Sequence, residues 1–176
     1  MKLSIDHTFA IAPAEYATLY FDEPFSIALS ASAKLGRTLL RLDRTPARVV
    51  RQVRCEPARD VPAPLAKLLD RGFHYVEELD FDLATLHGRW RVVPSVFADR
   101  VDASGTLFFE PAAADQVKRS VRGEINVSVF GVGSLAERFV VGEVLKGYEA
   151  ASSFTRSFLA ERAGKDEKNE KNDASV

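Results

Sequence analysis

Four polar residues stand where a strand pattern calls for apolar ones: His7, Arg51, Glu77 and Arg119. Side chains at a two-residue spacing share one face of a strand. At that spacing His7 falls with Leu3, Ile5, Phe9 and Ile11, and Arg51 with Ala47, Val49, Val53 and Cys55. Glu77 lies between Tyr75 and Leu79, with Phe73 and Phe81 beyond; Arg119 belongs to a run of Val117, Val121, Gly123, Ile125, Val127 and Val129. A charged group in a dry core is costly unless it has a partner or water. Four such intrusions are expensive in a solid core and ordinary in a pocket, where apolar walls carry a few placed polar groups. Either arginine can pair with Glu77. A hairpin turn centred between Leu83 and Ala84 would set Glu77 opposite Trp90 and Tyr75 opposite Val92.

Other chemistries find little support. The three histidines, His7, His74 and His87, form no H-E-x-x-H pattern, and the single cysteine cannot make a C-x-x-C pair, so no metal site is expected. Cys55 ends an alternating strand without a local base and reads as a buried structural thiol. The stretch "GVGSLAE" from Gly131 lacks the lysine and spacing of a phosphate-binding loop and reads as a strand-to-helix turn with a cap. No catalytic residue and no cofactor are assigned on these grounds.

The 176 residues suit one domain, 46% hydrophobic and 28% charged, with a formal net charge of -1. That balance argues against a general nucleic-acid binder or a polybasic membrane surface. A lone cysteine excludes an intramolecular disulfide, "MKLSIDHTFAI" lacks the apolar stretch of a signal peptide, and no run is long enough for a membrane-spanning helix, so the expected location is cytoplasmic. The segment from Gly164, "GKDEKNEKNDASV", is polar and charged and is expected to be an unordered tail, residues 164–176, after a domain spanning 1–163.

The elements that must position the polar residues follow from pattern. Strand one is "KLSIDHTFAI"; two short helices come next, with Pro13 at a first turn, Asp22 as the cap of the second, and Gly36 just past its end. Two strands meet at Thr45-Pro46, and "LAKLLDR" within the link from Pro57 to Arg71 suggests a short helix. The strands around Glu77 and Trp90 follow. Gly105 marks either a bulge or the end of a turn in the next strand, and the longest strand holds Arg119. The period then changes to 3.6. Ser134 and Glu137 have capping-box spacing, and Leu135, Phe139, Val144, Leu145, Tyr148, Phe154 and Phe158 form the apolar side of a helix from about Ser134 to about Ala163. Gly142 and Gly147 inside it indicate close approach to a sheet, or room for a ligand beneath.

The order β, α, α, six strands and one long helix predicts an α+β fold: a curved antiparallel sheet of about seven strands wrapped around a C-terminal helix, with an internal cavity. Over Lys2 to Arg162 the chain resembles the helix-grip fold of the START-like superfamily, also called SRPBCC, which includes the birch-pollen allergen type and polyketide cyclases. The resemblance rests on "PAEYATLYFDEPFSIALSASAKLG", on the hairpin "FHYVEELDFDL…GRWRVVPS", and on "GEINVSVFGVGSLAERFVVGEVLKGYE". The strand–glycine–"xLAE" junction, Val129 to Glu137, is similar to that of an uncharacterised bacterial START-like subfamily.

The resemblance implies a cavity for a hydrophobic small molecule such as a lipid, sterol, isoprenoid or aromatic metabolite. Its candidate lining residues here are His7, Arg51, Tyr75, Glu77, Trp90, Arg119, Phe139 and Tyr148. Non-catalytic binding or carriage is the first reading. A cyclase or aromatase using Glu77 with His7 or Arg51 for acid–base work is the second, and a protein-interaction module with a filled core is the third. No nucleic-acid partner or stable membrane anchor is expected. A transient membrane contact would use "PSVFADR", with Phe97.

Overall fold

The computed structural model describes residues 1–57, 63–66 and 72–173. Its elements are β1 Lys2–Phe9, α1 Pro13–Tyr20, α2 Glu23–Ser32, β2 Leu35–Arg44, β3 Arg48–Pro57, α3 Ala63–Ala66, β4 Tyr75–Asp82, β5 His87–Pro94, β6 Val101–Ala113, β7 Gln116–Val127 and α4 Gly133–Asp173. The strands form one sheet in the order β1-β7-β6-β5-β4-β3-β2, antiparallel throughout. Consecutive strands from β2 to β7 are neighbours in the sheet. β1 and β2 lie at opposite edges, and α1 with α2 carries the chain between them. This is the helix-grip arrangement: a curved seven-stranded sheet, two short helices after β1, and a long C-terminal helix.

Strand alternation is visible in burial. In β1 every second residue is buried, and in β3 Val49, Arg51, Val53 and Cys55 are buried, so the inner face is the one predicted by period two. At the end of the sheet covered by α1 and α2, aromatic rings fill the core. Tyr16 packs on Phe9 and Phe109 with ring centroids 5.2 and 4.9 Å away, and Phe81 lies 4.9 Å from Phe109 and 5.2 Å from Phe21. α2 is capped as predicted, with Asp22 accepting from the Phe25 N–H at 3.0 Å.

Several local expectations change. The left-handed residue after α2 is Lys34, with φ 55°, while Gly36 is already in β2 opposite Glu56. Ser134 and Glu137 form no capping box. The helix begins at Gly133, and Glu137 instead accepts from the Val127 N–H at 2.9 Å and pairs with the N-terminal ammonium at 3.6 Å. That carboxylate therefore pins the end of β7 and the chain start, and this tertiary partner competes successfully with the local one. Leu135 and Leu145, predicted on the apolar side of α4, are exposed; among the described side chains Val141, Ala151, Ser152 and Thr155 are buried.

α4 spans Gly133–Asp173 and so continues beyond Ala163. Extending an existing helix through Lys and Glu costs little, because nucleation is already complete. Of the short helix predicted within "LAKLLDR", α3 covers Leu65 and Ala66, and the rest lies outside the described residues. Among the described residues no helix is long and apolar enough to cross a membrane.

Candidate functional site

The inner face brings the sequence-nominated residues into two adjoining polar groups. The first is built on β1 and β7, where His7 and Arg119 are register partners. Arg119 is 1% exposed; its guanidinium reaches the Tyr16 hydroxyl at 3.3 Å and His7 Nδ1 at 3.0 Å. It is flanked by the rings of Phe9 and Tyr148, at 5.2 and 5.0 Å. Across the imidazole, His7 Nε2 lies 3.0 Å from Glu149 Oε1 on α4. Arginine can only donate, so His7 Nδ1 accepts and Nε2 carries the proton, which it donates to Glu149. Burial pushes the His7 pKa below its ordinary value; Glu149 opposes that shift and Arg119 reinforces it. The imidazole is thus neutral and fixed in one tautomer.

The second group is built on β3 and β4. Val53 faces Glu77 and Arg51 faces Leu79, so Arg51 and Glu77 are diagonal neighbours on one face. Arg51 Nη2 donates to Glu77 Oε1 at 3.3 Å. The two partners differ in access: the Arg51 side chain is 8% exposed and that of Glu77 33%. The rings of Tyr20 and Phe21 cover the guanidinium at 5.3 and 5.5 Å. Tyr148 descends from α4 into the electrostatic neighbourhood of Tyr20 and Glu77. All four tyrosines of the chain, Tyr16, Tyr20, Tyr75 and Tyr148, belong to this interior, and burial raises the pKa of each. Cys55, beside Tyr75, has its thiol pushed up to about 12 by burial and then by Glu77. The structural reading of that thiol stands.

Trp90 supplies an apolar floor. The β4–β5 turn is centred one residue later than predicted: Asp82 Oδ1 accepts from the Ala84 and Thr85 N–H groups at 2.9 and 2.7 Å, and Leu86 takes φ 55°. Trp90 consequently faces Leu79, and Glu77 faces Val92 rather than Trp90. Tyr75 faces Pro94. The side of the sheet is unchanged, because the pairing moves by two residues. Gly105 is neither bulge nor turn; it pairs regularly with Trp90 and with Gly123. A Cβ at Gly105 or Gly123 would lie 2.7 or 2.3 Å from Trp90 Cζ2, so these glycines make the ledge on which the indole rests. Its Nε1 donates to the Thr106 carbonyl at 3.2 Å. The glycine ledge was not recognisable from one strand at a time, although Trp90, Gly105 and Gly123 are all visible in sequence.

α4 packs against β1, β7 and α2. Over β4 and β5, by contrast, the inner-face residues Tyr75, Glu77, Trp90, Val92 and Pro94 are only half-buried, as are Phe139, Val144 and Tyr148 on the helix. Gly142 and Gly147 meet nothing within 4 Å of a built Cβ, so close approach to the sheet does not explain them. These half-buried side chains of β4, β5 and the first half of α4 share the inner side of the sheet, where Glu77 is the more accessible member of the Arg51–Glu77 pair. His7 and Arg119 lie behind the Tyr148 ring rather than in the open. A cleft of about 660 Å³ also opens around the β7–α4 junction, bordered by Arg100, Val127, Phe130 and Leu135. A depression of about 260 Å³ lies over the middle of β3–β5, by Gln52, Glu78 and Arg91. Both are open to solvent, and neither is bordered by Glu77 or Tyr148. Among the described residues no cluster of three or more His, Cys, Asp or Glu side chains is arranged to hold a metal.

A family profile described as "Protein of unknown function (DUF2505)" matches residues 4–159. No curated protein matches the sequence. Among solved structures, TTHA0849 from Thermus thermophilus is 14% identical, with a TM-score of 0.62 over 91% of this chain and 99% of that one. The Zhui aromatase/cyclase from Streptomyces sp. R1128 is 12% identical, with a TM-score of 0.62 over 88% of this chain and 93% of that one. A START superfamily protein from Mycobacterium smegmatis is 11% identical, with a TM-score of 0.56 over 90% of this chain and 98% of that one. At these identities the likeness establishes a START-like fold.

Proposed function

We propose, from the premise that the chain belongs to the DUF2505 family of proteins of unknown function, that it binds and carries a small apolar molecule in the hollow beneath α4, without chemical turnover. One observation carries this reading. Tyr75, Trp90, Val92 and Val144 are large apolar groups turned toward the interior, yet they remain half-buried. Apolar surface left accessible on this face would be stabilised by an apolar ligand, at about 25 cal/mol per Å² covered. Candidate ligand classes are a lipid, sterol, isoprenoid or aromatic metabolite.

The cyclase-like alternative is less well supported by the geometry. His7 is 6% exposed and both its ring nitrogens are engaged, so it offers no free base to a molecule in the hollow. Arg51 is similarly screened by two rings. The half-buried inner face over β4 and β5 favours the binding reading over a filled core.

Native mass spectrometry of the protein purified from cells, followed by organic extraction, tests the proposal. A bound mass released by extraction is the expected result. Its absence, together with no ligand-induced change in Trp90 fluorescence across an apolar compound panel, would overturn the binding reading. A compound chemically converted at the hollow would overturn the non-catalytic part.

A further inference from the structure

Gly142 lies inside α4, where glycine is less favourable than alanine, and nothing comes within 4 Å of a Cβ built there. The sheet gives no reason for it, but the helix surface around it does. Leu135, Arg138, Gly142, Leu145 and Glu149 follow one another at alternating steps of three and four residues, the a and d spacing of a coiled-coil seam. This seam lies away from the core. Val141 belongs to the core cluster, and Val144 and Tyr148 pack against it. Leu135 and Leu145 are 36% and 41% exposed, Arg138 is exposed, and the Glu149 side chain is 71% exposed.

The seam is complementary to itself. In an antiparallel helix pair the a side chains of one helix lie level with the d side chains of the other. With a two-fold axis between Glu143 and Val144, Arg138 falls opposite Glu149 of a second copy, and Leu145 falls opposite its Gly142. Each contact then occurs twice. Arg138 has no ion-pair partner among the described residues. Glu149 is engaged through Oε1 alone, by His7 at 3.0 Å, so its second oxygen can accept from an incoming guanidinium. The missing Cβ at Gly142 leaves a notch for Leu145 and lets two helices approach closely. A parallel pair would set Arg138 against Arg138 and Glu149 against Glu149, so charge selects the antiparallel one. An anionic lipid surface would meet Glu149 as a like charge.

We infer that two copies of this chain associate through the outward seam of α4, antiparallel, with an Arg138–Glu149 pair at each end and Leu145 seated over Gly142 between them. From Arg138 to Glu149 the seam is about 17 Å long at the helical rise. That is a short interface, so the dimer is reversible rather than obligate. The inference does not depend on the ligand-binding reading.

The test is sedimentation velocity of the full chain over a concentration series, with circular dichroism to confirm that each variant is folded. Wild type should shift from monomer toward dimer as concentration rises. Arg138→Glu and Gly142→Leu should each weaken association at least about tenfold, the first by placing like charges at both ends and the second by filling the notch. Arg44→Glu, an exposed charge on the edge strand β2, should leave association unchanged. Glu149→Arg should also be monomeric. An equimolar mixture of Arg138→Glu with Glu149→Arg should regain the dimer, because unlike charges then meet at both ends. If Glu149→Arg does not fold without its His7 contact, Arg138→Glu and Gly142→Leu decide the question. A wild-type protein that stays monomeric up to its solubility limit would overturn the inference. So would a dimer that survives both Arg138→Glu and Gly142→Leu, equal weakening by Arg44→Glu, or folded charge variants that fail to recombine.

Discussion

His7 Nε2 lies 3.0 Å from Glu149 Oε1, so the edge strand β1 and the long helix α4 are joined through one neutral imidazole whose other nitrogen accepts from Arg119. Burial holds the His7 pKa below its ordinary value of 6.5. On acidification the unfolded chain takes up this proton before the folded one does. The contribution of His7 to stability is therefore complete above about 6.5 and is lost as the pH falls from there toward the lower folded value. The melting temperature should drop more between pH 7.5 and 5 in wild type than in His7→Gln. Parallel profiles for the two proteins would refute the assignment.

Arg119 is one of the forces that depress the His7 pKa. Arg119→Met removes the charge and retains most of the buried volume. The midpoint of His7 should rise in this variant, as read from imidazole chemical shifts in a pH series. Tyr16 and His7 also lose a donor, and stability should fall by about 1–3 kcal/mol. A midpoint that stays in place or moves down would contradict the geometry of the triad.

Gly123 is the tightest part of the ledge beneath Trp90: a Cβ there would meet Trp90 Cζ2 at 2.3 Å and the Ser104 carbonyl at 2.5 Å. One of those neighbours is backbone, so the clash cannot be relieved by a rotamer change alone. Gly123→Ala should cost about 1–3 kcal/mol in denaturant unfolding and shift Trp90 emission. Gly142→Ala, where nothing lies within 4 Å, should instead stabilise by about 1 kcal/mol, the helix-propensity difference. Equal effects at the two positions would show that the ledge is absent.

The Cys55 thiol, 3% exposed and pushed up to about 12 by burial and Glu77, should resist alkylation in the native protein at pH 8. Iodoacetamide labelling followed by mass spectrometry should be at least about a hundredfold faster in denaturant, since reaction then requires both exposure and thiolate formation. Comparable rates would place Cys55 in an accessible part of the hollow.

Much of this architecture is written in two periodicities. The two-residue spacing puts His7, Arg51, Glu77 and Arg119 on the inner face, and the change to 3.6 marks α4. Each is a property of one segment and needs no partner to be recognised. The remainder depends on pairs of segments. The β4–β5 register hangs on how Asp82 folds its own turn, so Trp90 meets Leu79 rather than Glu77. Glu137 looks like half of a capping box until β7 ends beside it and offers the Val127 N–H. The partition of the polar residues into the buried His7–Arg119–Tyr16 group and the more accessible Glu77 depends on where α4 and its Tyr148 ring come to rest. No spacing along the chain records that position.

The placement of β1 also governs the order in which this protein can be assembled during synthesis. Among the described residues its one partner strand is β7, and 112 residues separate His7 from Arg119. β1 thus emerges from the ribosome before β2 to β7 and pairs only after that meander has been made. Throughout that interval Leu3, Ile5 and Phe9 have no sheet to cover, and Asp6 and Lys2 on the opposite face are the charges available to discourage pairing with a neighbouring nascent chain.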